Sequence, residues 1–162
     1  MKRFLYLFVC ALPLFFVASC DDDDKDLPNV DFTMQISGGE FVNGQIYVVP
    51  DTTLIVESVG VINNEQGKKA IITYADYFLN GRFVGQSVVA PYGIEIVIPA
   101  DMPVGKYSLQ VNAPIYAVDK SPAFGCVLYT VNVVSSVDEI PDGGESSYQN
   151  TPSIQENEPI VK

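Results

Sequence analysis

The segment Tyr77-Phe78-Leu79-Asn80-Gly81-Arg82-Phe83-Val84 carries the strongest structural signal in the chain. An Asn-Gly pair between two apolar stretches favours a two-residue type I′ turn, because both central residues tolerate a positive φ angle. Aromatic and β-branched residues on both sides of the turn are typical of paired strands. The segment therefore predicts a β-hairpin with its turn at Asn80-Gly81.

The sequence on both sides of this hairpin continues the pattern. Short β-branched and aromatic stretches alternate with glycine, proline and asparagine turns, and no part of the chain after residue 19 shows convincing helical periodicity. This pattern indicates an all-β sandwich, placed in a domain over residues 31–134. The predicted strands are 31–36, 45–49, 52–62, 69–79, 82–88, 93–98, 106–113 and 124–134.

Several segments follow the order found in bacterial immunoglobulin-like domains. They are the hairpin, then Val84-Gly85, Ala90-Pro91-Tyr92 and Gly105-Lys106-Tyr107-Ser108-Leu109. The resemblance covers roughly residues 45–134, and it implies an immunoglobulin-like antiparallel β-sandwich. It further implies that Tyr77 and Leu79 point into the core and that Tyr107 forms a tyrosine corner, its hydroxyl bonded to nearby backbone. The chain departs from antibody-type domains because it has no tryptophan.

The first residues have the features of a secretion signal. Met1-Lys2-Arg3 is basic, and Phe4–Ala18 is an uncharged stretch of 15 residues. As a helix this stretch would cover roughly 22 Å, less than the ~30 Å hydrocarbon core of a bilayer. Val17-Ala18-Ser19-Cys20 resembles the lipobox of bacterial lipoproteins. The resemblance implies removal of residues 1–19 and acylation of Cys20 with palmitate-type chains; an ordinary signal peptide or an uncleaved anchor is the alternative.

A run of acidic residues follows the cysteine. Asp21, Asp22, Asp23 and Asp24 open an acidic tether over residues 20–30. The run resembles the acid-rich export signal of surface lipoproteins of the Bacteroidota, which implies an outer-membrane protein that faces the cell exterior. In enteric bacteria an aspartate after the cysteine would instead indicate retention at the inner membrane. A calcium site is disfavoured because the spaced ligands and glycine of a calcium loop are missing.

The C-terminal residues 135–162 are also acidic and contain three prolines and a Gly-Gly pair. Their apolar residues show little periodicity, so the sequence offers little burial to offset the entropy of ordering. A flexible acidic tail is therefore predicted over this range.

Charge and residue types limit the functions that the domain can have. Removing Lys2 and Arg3 with the signal peptide leaves seven cations against twenty acidic residues, a net charge of −13, which argues against nucleic acid as a partner. The chain has no histidine, so serine–histidine and cysteine–histidine catalysis are excluded. Cys126 has no partner once Cys20 is acylated, and its apolar surroundings predict a buried, unreactive thiol.

The sequence thus predicts a protein that is not an enzyme and that holds neither a cofactor nor a metal. A glycosidase-like pair of carboxylates remains formally open. Its candidates are Asp76, Glu95, Asp101 and Asp119.

Three aromatic residues are candidates for ligand binding. If Tyr77 and Leu79 point inward, Tyr74 and Phe78 lie on the outer face of strand 69–79, where they can stack on sugar rings or on a partner protein. Tyr116 lies in a long predicted loop, 112–124, and long loops are often functional. Two alternatives stay open: a neighbouring strand or this loop covers Tyr74 and Phe78, or the loop packs Ile115 and Val118 inward.

Two functions from different classes fit these features. The first is a non-catalytic binding or accessory module for an extracellular ligand such as a glycan, or for adhesion. The second is a structural, assembly or spacer component that contacts other envelope proteins. An exposed aromatic cluster beside polar groups favours the first, and a long unpaired edge strand or a flat apolar patch favours the second.

Overall fold

A computed structural model describes residues 26–156 of the chain. The predicted signal peptide, the predicted lipidation site Cys20 and the predicted export signal Asp21–Asp24 lie outside the described residues, as do residues 157–162. The described part is built almost entirely from strands, with one short 3₁₀ helix at Val137–Glu139. The strands are β1 (Val30–Ser37), β2 (Glu40–Val42), β3 (Gln45–Val48), β4 (Thr52–Asn63), β5 (Ala70–Ile72), β6 (Ala75–Leu79), β7 (Arg82–Ser87), β8 (Ile94–Ile98), β9 (Gly105–Ala117), β10 (Ala123–Val133), β11 (Ser147–Asn150) and β12 (Ser153–Glu156).

The strands form two sheets that pack face to face. The smaller sheet has the order β11-β1-β4-β8, and the larger has the order β2-β3-β10-β9-β6-β7. In the larger sheet, β12 pairs with β10 and β5 pairs with β9. Every strand pair is antiparallel except β3 with β10. The predicted fold class, an immunoglobulin-like antiparallel β-sandwich, is confirmed.

The core lies between the sheets and follows from strand alternation. Successive side chains of a strand point to opposite faces, so alternate residues are buried along β1, along β6 as far as Tyr77 and over most of β9 and β10. The sheets approach closely at Gly125, where a Cβ atom would lie 2.7 Å from Ile115 Cδ1 and 3.0 Å from Phe32 Cζ. Among the largest fully buried side chains are Phe32, Phe41, Leu54, Tyr77 and Leu109.

The hairpin forms where the sequence predicts it. Asn80 and Gly81 connect β6 to β7 with φ angles of 50° and 77°, as a type I′ turn requires. Tyr77 is fully buried and Leu79 packs against the core, so both predicted orientations are confirmed. The Tyr107 hydroxyl donates a hydrogen bond to the Pro103 carbonyl at 2.8 Å, which is the predicted backbone contact.

The prediction of one continuous strand over 69–79 is wrong. A bend at residues 73–74 separates β5 from β6, and Ile72 shares the buried face with Ala75 and Tyr77. Both strands pair with β9. Ile72 and Asp76 are four residues apart, whereas their partners on β9, Ile115 and Asn112, are three residues apart, so β5 and β6 contain one extra residue. The extra residue acts as a bulge and reverses the alternation. It lies opposite Pro114, which has no N–H to donate to a ladder.

The predicted long loop over 112–124 is also wrong. Strand β9 continues to Ala117 and β10 begins at Ala123, so only residues 118–122 connect them. The loop therefore does not fold over Tyr74 and Phe78. Of the two residues expected to pack inward in the alternative reading, Ile115 is buried and Val118 is exposed.

The predicted flexible tail over 135–162 is wrong for residues 135–156. Strand β11 pairs with β1 in the smaller sheet, and β12 pairs with β10 in the larger sheet. The segment thus crosses from one sheet to the other and covers an edge of each. Ile154 packs against the core, and the Tyr148 ring lies 5.5 Å from that of Phe41. Backbone pairing holds much of this segment, so apolar periodicity could not reveal it.

The predicted acidic tether over 20–30 ends earlier than expected. Val30 begins β1, and Lys120 Nζ lies 2.7 Å from Asp26 Oδ2. The amide of Ser121 also donates to the Asp26 carbonyl at 3.1 Å.

Candidate functional site

The candidate site lies on the outward face of the larger sheet, where two rows of side chains cross four neighbouring strands. Antiparallel pairing places Phe78 opposite Phe83 and Gln110, and Gln110 opposite Leu128. The next row on the same face follows from the same registers. We name the two rows together the platform: the apolar row is Phe83, Phe78, Gln110 and Leu128, and the polar row is Gln86, Asp76, Asn112 and Cys126.

The apolar row presents an aromatic pair to solvent. The rings of Phe78 and Phe83 have centroids 5.4 Å apart and planes inclined by 66°, an edge-to-face arrangement that aromatic pairs favour. Phe83 is 54% exposed and Leu128 is 60% exposed, whereas Phe78 is half-buried. The rings are therefore held by each other while part of their surface remains available for a ligand.

The polar row is ordered by one hydrogen bond within the row and by one from Gln110 of the neighbouring row. Gln86 Nε2 donates to Asp76 Oδ1 at 2.7 Å, and Gln110 Nε2 donates across to Asn112 Oδ1 at 2.9 Å. These bonds orient the four side chains. Within residues 26–156 the Asn112 Nδ2 donor and the Asp76 Oδ2 and Gln110 Oε1 acceptors keep unused hydrogen-bonding capacity.

Cys126 belongs to the platform and not to the core. It lies opposite Asn112 and, on its other side, opposite Ser153 of β12. Its thiol is free and half-buried, which corrects the expectation of full burial. Burial raises the pKa of the thiol, so the nucleophilic thiolate is disfavoured at neutral pH.

The three aromatic residues predicted from the sequence fall into two groups. Tyr74 lies near Tyr116: burial, followed by the charge of Asp76 and by Tyr116, raises the pKa of the Tyr74 hydroxyl. Tyr116 is exposed and stands opposite Ile71. Phe78 pairs with position 110 of β9, six residues from Tyr116, which corresponds to about 20 Å along a strand. The structure thus brings Tyr74 and Tyr116 together and leaves Phe78 with Phe83.

Sequence reasoning missed most of the platform. Phe83 was part of the hairpin signal, and alternation from Phe78 across the turn could have placed it on the same face. Leu128 and the polar side chains could not be found in this way, because only the register of β9 between β6 and β10 brings them beside the aromatic pair.

Two part-buried tyrosine hydrogen bonds join β6 and β5 to the loop that precedes β8. The Tyr77 hydroxyl donates to the Tyr92 carbonyl, and the Tyr92 hydroxyl donates to the Ile72 carbonyl at 2.8 Å. Burial raises the pKa of Tyr77, so this hydroxyl stays protonated and able to donate. The neighbouring Pro91 carbonyl accepts from the Val59 amide at 2.9 Å, which joins the same loop to the smaller sheet.

The four carboxylates considered for catalysis lie on separate elements. Asp76 is on β6, Glu95 is on β8 of the other sheet, Asp101 follows β8, and Asp119 lies in the β9–β10 turn. Among residues 26–156, no three cysteine, aspartate or glutamate side chains form a group that could hold a metal ion. In the same residues, no helix has the length and apolar character needed to cross a membrane.

No protein-family model matches the chain, and no curated protein matches it. Among solved structures, one of the Clostridium thermocellum CbhA fibronectin(III)-like modules is similar, with a TM-score of 0.41 and 14% sequence identity. The similarity covers 73% of this chain and 52% of that chain, so this chain spans about half the length of its neighbour. The assignment of the fold rests on the strand order and registers described above.

Proposed function

We propose that this protein is a non-catalytic lipoprotein of the cell surface whose platform binds an extracellular glycan. The platform carries this proposal, because it combines partly exposed aromatic rings with oriented amide and carboxylate groups on one face. Ring faces pack against the C–H surfaces of sugars, and the free donors and acceptors suit hydroxyl groups, which both donate and accept.

The size and rigidity of the platform also suit a chain of sugars. Four strands at about 4.8 Å spacing give the platform a width of about 14 Å. The side chains stand on paired strands and are oriented by one another, so little side-chain freedom is lost on binding. The platform lies on the outward face of a sheet, which favours an extended ligand.

A glycan array probed with the purified mature lipoprotein tests this function. We expect wild-type protein to retain a defined glycan class and Phe83→Ala to lose it, because an aromatic anchor is removed. Val89→Ala is the matched control, since Val89 is an exposed apolar residue outside the platform. Retention of no glycan by the wild type, or equal retention by the two variants, would contradict the proposal.

The anchor is tested separately through Cys20. Acylation would hold the mature protein at the outer membrane, and the Asp21–Asp24 run would direct it to the exterior. Cys20→Ala should release the protein from membranes or block its processing, measured by fractionation after labelling with a fatty-acid analogue. Unchanged labelling and pelleting would exclude the lipobox.

The export signal is tested by changing Asp21–Asp24 to alanine. This variant should show lower protease accessibility in intact cells without loss of lipid; equal accessibility in variant and wild type would leave the run as a tether.

Contact with another envelope protein is a second candidate function, and the edge formed by β7 and β8 favours it. Within residues 26–156, β7 pairs only with β6 and β8 only with β4. An open cleft between these edges is lined in part by Val84, Val97 and Met102. Val97→Lys should remove envelope proteins that co-purify after surface crosslinking, because a charge on an edge opposes strand addition. Unchanged co-purification would exclude this edge.

A further inference from the structure

We propose that the end of the sandwich that carries Ile71, Tyr116 and Val118 docks onto the membrane surface. This inference rests on the proposed lipid anchor at Cys20. It adds an orientation to that anchor: one end of the domain touches the lipid, and the platform is held away from it.

The first observation is a fixed contact at Asp26, six residues after Cys20. Asp26 is tied to the β9–β10 turn by Lys120 Nζ at 2.7 Å and by the Ser121 amide at 3.1 Å. Lys120 also pairs with Glu65, and its side chain is only 6% exposed, so this contact is built into the domain. Cys20 precedes Asp26 by six residues, which even when fully extended reach about 20 Å. The acyl chains would therefore enter the bilayer within about 20 Å of this turn.

The second observation is an apolar surface at the same end. Ile71 and Tyr116 stand opposite each other on β5 and β9 and are 58% and 40% exposed. Val118, in the adjoining turn, is 55% exposed. Tyrosine is suited to a membrane interface because its ring is apolar and its hydroxyl is polar. Val118 lies in the turn that fixes Asp26, Tyr116 lies two residues before it, and Ile71 is paired with Tyr116.

The third observation is the distribution of positive charge. Of the five described cations, Lys68, Lys69 and Lys120 lie at this end, whereas Arg82 and Lys106 lie at the opposite end. Lys68 and Lys120 pair with Glu65, and Lys120 also neutralises Asp26. Lys69 is exposed and makes no ion pair within residues 26–156. It can reach lipid headgroups while its methylene chain covers apolar surface; Asp119, in the same turn, would have to remain in the aqueous layer.

Docking sets the height of the platform. Position 110 of β9 lies six residues from Tyr116, so Phe78 and Phe83 would stand about 20 Å from the docked end. The domain would then hold its binding surface upright above the headgroups.

Quenching by spin-labelled lipid tests the orientation. The full lipoprotein with Val118→Cys, in a Cys126→Ser background, is labelled with bimane and reconstituted in phosphatidylethanolamine–phosphatidylglycerol vesicles that contain doxyl lipid. Val104→Cys is the matched control, because Val104 is equally exposed at the opposite end. We expect the label at 118 to lose fluorescence and the label at 104 to keep it. Adding Ile71→Asp should restore fluorescence at 118 without shifting the denaturation midpoint, because Ile71 is exposed.

The outcomes separate docking from anchoring. Protein that floats with vesicles but shows equal fluorescence at 118 and 104 overturns docking and leaves the lipid anchor standing. Protein that fails to float overturns the anchor and the docking together. Strong quenching at both positions means that the domain lies flat or tumbles, and it also overturns the proposal.

Discussion

Tyr77 and Phe78 are neighbours in β6, yet they have opposite surroundings. Tyr77 is 0% exposed, and its hydroxyl donates to the Tyr92 carbonyl inside the sandwich. Phe78 lies on the outer face against Phe83, half-buried and open to solvent on one side. Strand alternation alone separates them. The face of the strand, and not the residue type, therefore decides whether an aromatic side chain of β6 is buried in the core or open to solvent.

The largest expected effect separates the two faces through stability. Tyr77→Ala should lower the free energy of unfolding by about 3–5 kcal/mol, because it opens a cavity in the core. Phe78→Ala should cost only about 1–2 kcal/mol, the sum of partial burial and one aromatic contact. Urea denaturation of both variants measures the difference. Equal losses would break the comparison, and unfolding of Phe78→Ala would remove the basis for the platform.

The Tyr107 hydroxyl should contribute less to the free energy of unfolding, because solvent can reach its hydrogen bond. Tyr107→Phe removes the bond to the Pro103 carbonyl, which lies at an exposed margin of the sandwich. The expected loss is about 0.5–1.5 kcal/mol, since water can replace the hydroxyl. Tyr148→Phe is the control: it keeps the ring contact with Phe41 and should change the denaturation midpoint very little. A midpoint for Tyr107→Phe that equals the wild-type value would exclude a structural role for the corner.

The smallest effect concerns polar contacts on the outer face of the other sheet. Thr151 and then Gln149 donate to Asp31 and hold the pKa of its carboxyl below the ordinary value. A lowered folded-state pKa stabilises the fold above about pH 4, and this stability disappears as the pH falls through the lowered value. Asp31→Asn should therefore cost at most about 1 kcal/mol at pH 7, and the cost should disappear as the pH falls through the lowered pKa. An Asp31→Asn penalty that persists in acid would show that the charge is not responsible.

The strands could be predicted from sequence because local signals specify them. The Asn80-Gly81 turn fixes one hairpin, and the alternation of apolar residues identifies most of the remaining strands. Two features that involve contacts between distant parts of the chain could not be predicted from local signals. The bulge between β5 and β6 lies opposite Pro114, which comes much later in the chain, and it reverses the alternation so that Ile72 lies on the buried face.

The C-terminal segment shows a second limit of local reasoning. Residues 147–156 contain few apolar side chains, and they are ordered by backbone pairing with β1 and β10 and by side chains that bond Asp31. The candidate site could be predicted only in part, because its residues come from several strands that are distant in the sequence. Phe78 could be assigned to a face from its own strand, whereas its neighbours Gln110 and Leu128 come from strands later in the chain.

The most direct test of the platform measures affinity and stability on the same variant. Phe83→Ala should weaken binding to the glycan selected on the array by at least about tenfold, as expected for loss of an aromatic anchor. Its urea midpoint should fall no further than that of Phe78→Ala, because the two variants lose the same ring contact and Phe83 is largely exposed. Affinity is measured by titration calorimetry and stability by denaturation of the same preparations. Unchanged affinity, or a loss of affinity that merely follows a fall in the midpoint, would contradict a binding role for the outer face.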